Sequence, residues 1–162
     1  MDATTIRNEL ITAARFRLQR FQELICLAEE QRAILLERRH ADLPENLGRH
    51  DPLLIELAKV EKREESLLGM LAATDASAAA LRSATEASAS EFEAQYTEIN
   101  RETRALALTL QTLVAGNTQL LETMMEYVQF SINIMAKLMC EQQSYDPAAD
   151  PGTAALLLDR KV

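Results

Sequence analysis

At 162 residues, 48% of them hydrophobic, the chain is long enough for one domain with a real core. Abundant Ala, Leu, Glu, Arg and Gln, few Gly and Pro and no Trp favour helices over strands. A formal net charge of −8 removes any general attraction to nucleic-acid phosphates or anionic membranes, so neither is expected as a partner.

The opening MDATTIRNEL lacks the basic segment and apolar run of a secretory signal, which predicts a cytoplasmic protein. From about Thr4 to Arg39 the spacing predicts one long amphipathic helix. Leu10, Ala14, Leu18, Phe21, Ile25, Ala28 and Leu35 fall on one side, and Arg7, Arg15, Arg20, Glu30 and Glu37 mark wetter positions. HADLPENLGRHDP, residues 40–52, then breaks the pattern with two Pro, a Gly and several Asx residues. Asp51 suits an N-cap with Pro52 at the first helical position, and a second helix is expected over about Pro52 to Ala72, presenting Leu53, Leu57, Val60, Leu67 and Leu71. ATDASA is expected to end it, with Asp75 or Ser77 capping the next helix.

From Phe92 to Leu138 apolar positions recur in alternating steps of four and three without a stutter, which predicts one helix over about Ala78 to Gln142. A single Gly116 costs only about 1 kcal/mol against Ala in a helix interior. A break at Ala115-Gly116-Asn117 is the alternative and would give four helices; Asn117, at a core-type position, fits register control in an oligomer and an N-cap after a broken helix equally well. The expected architecture is therefore all-α, an elongated antiparallel bundle of three long helices over residues 1–144. Residues 145–162, with Pro, Gly and Asp at intervals unsuited to a helix, are expected to form a flexible tail.

The last helix carries more apolar surface than one seam needs. Leu120, Met124, Tyr127, Ile134 and Leu138 form one stripe, with polar Ser131 in line; Leu121, Met125, Val128, Ile132, Met135 and Met139 form another, one residue later. Traced backward, the second stripe turns polar at Gln111, Arg104 and Asn100, so only the C-terminal part of the helix is two-sided. Either this part lies between two neighbours inside the bundle, or the first stripe closes the bundle while the second awaits a partner helix. Four of the six Met residues cluster here, and an unbranched thioether repacks readily around differently shaped partners. Burying the six residues of the second stripe would contribute on the order of 10 to 15 kcal/mol gross. Ordering a flexible partner would remove much of this, leaving roughly micromolar to nanomolar binding. Glu122, Glu126 and Lys137 make the same segment too costly to place in a bilayer.

The long last helix with its Asn and following Leu-Leu, the Tyr-containing middle, the apolar INIMAKLM, the short linker to SYDP and the closing LLLDRKV together resemble FlgN-type flagellar export chaperones. The resemblance covers residues 78–162 best, and the first two helices fit by length and pattern. Members usually carry a Gly soon after the Tyr, whereas here Pro147 intervenes and Gly152 comes late. The resemblance implies a chaperone for hook-associated proteins of the hook-filament junction. It would hold their C-terminal segments, block premature polymerisation and deliver them to the export gate, with Leu121, Met125, Val128, Ile132, Met135 and Met139 as client-binding residues. Tyr145 is expected to be exposed beyond the helix, and by resemblance its partner would be the gate.

Catalysis is not expected. His40 and His50 share a loop with Asp42 and Asp51, but not at a helical ligand spacing, and there is no Glu-x-x-His pair, no Gly-rich phosphate loop and no nucleophile with a base nearby in sequence. No metal or cofactor is predicted. Cys26 and Cys140 are expected to be reduced, half-buried thiols. The competing reading is a structural coiled-coil protein that self-associates through the C-terminal stripe.

Overall fold

The computed structural model describes residues 2–78 and 86–145, and the side chains among them except those of 75–78, 86–89 and 141–145. Three long helices and one short 3₁₀ turn account for nearly all of them, with no strand among the described residues: α1 (Ala3–Leu36), the turn His40–Asp42, α2 (Leu43–Ala78) and α3 (Glu86–Tyr145). The chain divides into two units, Met1–Thr118 and Gln119–Val162, and the division falls within α3.

α1 starts where Asp2, in extended conformation, accepts a hydrogen bond from the Thr5 amide at 3.2 Å, a side-chain cap for an otherwise unpaired donor. It ends in a left-handed turn. The Arg38 amide donates to the Leu35 carbonyl and the Arg39 amide to the Ile34 carbonyl at 2.9 Å, with Arg38 at φ 58°. This is the pattern that usually places Gly at the left-handed position. Arg39 then holds Glu37 and Asp42, each at 2.7 Å.

α2 begins at Leu43, well before the expected start at Pro52, and Asp51 is no cap because both residues lie inside the helix. Pro44 sits in the first turn, where its missing N–H costs nothing. Pro52 removes the bond to the Gly48 carbonyl and crowds it, a penalty of about 3 kcal/mol. Packing on α1 offsets that cost on both sides of Pro52. Before it, Asn46 is 1% exposed and donates to the Leu27 carbonyl at 3.1 Å; after it, Leu57 is buried. The helix also continues past Ala72 to Ala78, so Asp75 and Ser77 are interior residues rather than caps of the next helix.

Within Met1–Thr118 the three helices form one bundle. Ile6 and Leu10 near the start of α1 join Leu67 and Leu71 near the end of α2, while Leu27, late in α1, meets Asn46, early in α2, so these helices are antiparallel. α3 runs alongside α1 in the same direction: Phe92 and Tyr96 pack on the cluster of Ile6 and Leu10, Ile99 on Ile11 and Ala14, and Asn117 on Ala28. The Phe92 and Tyr96 rings stack with centroids 5.5 Å apart.

Polar side chains fix the register of this packing. Arg17 of α1 reaches Glu64 of α2 at 2.5 Å and also the Asn100 side-chain oxygen of α3, tying all three helices at one level. Glu64 is only 3% exposed, and its desolvation holds the carboxyl above its ordinary pKa of 4.5 against the opposing pull of Arg17. Asn117 donates to the Ala28 carbonyl and to Gln31, both at 2.8 Å. α3 passes unbroken through Gly116 and Asn117, so the four-helix alternative does not hold and Asn117 acts as a register clamp. Arg7, expected on a wetter face, is buried.

Candidate functional site

Residues 119–140 of α3 contain neither Gly nor Pro and are rich in Leu, Met, Gln and Glu, good helix formers. Their aliphatic hydroxyls are satisfied within the helix, Thr123 donating to the Gln119 carbonyl and Ser131 to the Tyr127 carbonyl, both at 2.9 Å, and the Gln129 amide donates to the Asn133 side-chain oxygen at 3.1 Å. What remains outward-facing is largely hydrocarbon and thioether.

At about 100° per residue, the two stripes merge into one apolar arc about 180° wide, from Ile134 round to Met125, interrupted only by Ser131. Glu122, Glu126 and Lys137 cluster opposite its centre. Five of the six residues of the second stripe are exposed, from Ile132 at 53% to Met125 at 71%; Leu121 is half-buried. The expectation that the first stripe closes the protein's own bundle fails over most of its length. Leu120 and Met124 are half-buried, but Tyr127, Ile134 and Leu138 are exposed as well. Sequence reasoning missed these three, together with exposed Phe130 at the edge of the arc. The phenolic hydroxyl of Tyr127 and the hydroxyl of Ser131, both suited to water, were the available signals.

Tyr145 is the last residue of α3 rather than the first beyond it; its side chain, and residues 146–162, lie outside the described residues. Cys26 and Cys140 are free and exposed, not half-buried as expected. His40 lies in the 3₁₀ turn and His50 inside α2, where burial lowers its pKa from 6.5 against the opposing effect of Asp51. Among the described residues no group of three or more His, Cys, Asp or Glu is placed to hold a metal, and no helix is long and apolar enough to cross a membrane. A groove between α1 and α2, lined by Gln22, Cys26, Glu30, Arg49 and Leu53, is open to solvent and largely apolar.

Among the described residues the protein is an all-α helical bundle, with polar core groups held between three helices and one face of the last helix apolar and exposed. The family model described as FlgN protein matches residues 1–151, and the chain belongs to that family, whose members are flagellar export chaperones. The match spans the first two helices as well as the third. No curated protein and no solved structure matches the chain.

Proposed function

We propose that the protein is a cytoplasmic chaperone that binds the C-terminal helical segments of hook-associated proteins, keeps them from polymerising early and brings them to the flagellar export gate. The exposure of Met125, Val128, Ile132, Met135 and Met139 on one helix carries this reading, with Leu121 at its edge. Such a stripe accepts the apolar face of an amphipathic helix, and its Met residues adapt to more than one client. Tyr145, at the helix end, is the proposed contact with the gate.

Replacing Met125 and Ile132 together with Glu is expected to abolish binding of a junction-protein C-terminal segment in titration calorimetry while thermal unfolding stays nearly unchanged. A large fall in stability would place the stripe in the protein's own core. Tyr145→Ala should leave client affinity within about 0.5 kcal/mol yet reduce client secretion. Normal secretion would remove Tyr145 from the mechanism.

The same exposure favours a second reading, self-association through the stripe into a coiled-coil oligomer. Light scattering at low concentration separates the two: a chaperone awaiting its client is a monomer or weak dimer, whereas a structural coiled coil remains oligomeric on dilution.

A further inference from the structure

The apolar arc is wider than one partner helix covers. A helix packs through a stripe of about 100°, and the arc from Ile134 to Met125 spans about 180°. Eight large side chains within it are between 41% and 71% exposed. At roughly 200 Å² for a fully exposed large side chain, they leave on the order of 900 Å² of surface to be covered. Stable complexes bury about 800 Å² on each partner. A single helix seated on the first stripe would cover roughly 300 Å² and one on the second roughly 600 Å², each less than that figure, which only the two together reach.

We infer that the client supplies two amphipathic helical segments, one for each stripe, so that the C-terminal part of α3 becomes the shared helix of a three-helix layer. This rests on the chaperone reading above. Tyr127, Ile134 and Leu138 seat one segment; Met125, Val128 and Ile132 seat the other, with Met135 on the line between them. The chemistry of both segments follows from the charges. Glu122, Glu126 and Lys137 face away from the arc, and neutral Gln129 and Ala136 border it beyond Met125. The contacting faces of the client are therefore apolar and uncharged, and its charges lie on the outer faces of its two helices.

Benzophenone cross-linking tests this with the full chain. Ile132→Cys and Ile134→Cys, at opposite edges of the arc, are each made in a Cys26→Ser, Cys140→Ser background; both native thiols are exposed, so their loss is mild. Each variant is labelled with benzophenone maleimide, mixed with purified monomeric hook-associated proteins of the source bacterium, irradiated and mapped by mass spectrometry. The expected result is cross-links from the two positions to two different sequence segments of one client chain. The same segment labelled from both positions, or client labelling from one position only, overturns the two-segment inference and leaves the chaperone reading standing. Cross-links confined to a second copy of this chain, or to residues 146–162, overturn it by naming another occupant. Absence of any client cross-link at either position removes the chaperone reading and the inference together.

Discussion

Asn117 and Met125 lie about two turns apart on the same helix, and their surroundings are the reverse of what their chemistry prefers. The amide is 2% exposed and the thioether 71% exposed. Over Met1–Thr118, α3 has neighbours, and polar groups are drawn into the interior because each finds a partner there: Asn117 with Ala28 and Gln31, Arg17 with Glu64 and Asn100. From Gln119 on, apolar side chains stand in water while hydroxyls bond back to their own helix. Burial along α3 follows the supply of neighbours more closely than the hydrophobicity of the residue. Among the described residues, that stretch is the surface on which the proposed client would pack.

The sharpest way to break this contrast is to truncate one apolar residue in each region. Leu10→Ala, at a wholly buried position, should cost about 2 to 5 kcal/mol in denaturant unfolding, whereas Met125→Ala should stay within about 0.5 kcal/mol. Equal losses would show that the exposed arc is part of the core. Next in size, Asn117→Ala removes the donor that satisfies the buried Ala28 carbonyl and should cost about 1 to 3 kcal/mol. A neutral result would mean that this amide does not hold α3 in place.

Buried charge gives a third measure. Desolvation raises the pKa of Glu64 when the protein folds, so the folded state binds the proton more tightly than the unfolded one. Its stabilising contribution is fully present below the ordinary value of 4.5 and is lost as pH rises through the higher folded value. The stability of the parent protein minus that of Glu64→Gln should therefore decline as pH is raised from 4.5, measured by urea unfolding at successive pH values. A difference that grows with pH would reverse the assignment. The smallest effects come from the backbone. Arg38→Gly relieves a left-handed residue, and Gly69→Ala fills a helical position where an added methyl meets nothing within 4 Å. Each should raise stability by about 0.4 to 1 kcal/mol, visible as a small upward shift in the melting temperature.

Helices α1 and α3 were legible in the sequence because their apolar spacing is long and regular, and Asn117 stood out as a polar residue at a core position. The start of α2 was not. Pro44, Gly48, Asp51 and Pro52 carry every local mark of a loop, and the burial of Asn46 and Leu57 that outweighs them exists only once α1 lies alongside. The tie among Arg17, Glu64 and Asn100 was hidden for the same reason: Glu64 and Asn100 belong to charge-dense runs that look like solvated faces when each helix is considered alone, and Arg17 finds them only once the three helices lie together. The second stripe of α3 was legible as surplus apolar surface. That the first stripe is also largely exposed among the described residues depends on which elements fold beside it, which no local pattern encodes.

Surface already wet in the native state has a thermodynamic consequence, because unfolding exposes it to nothing new. The uncovered arc adds helical hydrogen bonds to the folded protein but little to the change in apolar hydration that sets heat capacity and denaturant sensitivity. The heat-capacity increment of unfolding and the urea slope should both fall below what 162 residues ordinarily produce, giving a broad, shallow stability curve. The deficit would reappear when the arc is covered, as a negative heat-capacity change of association.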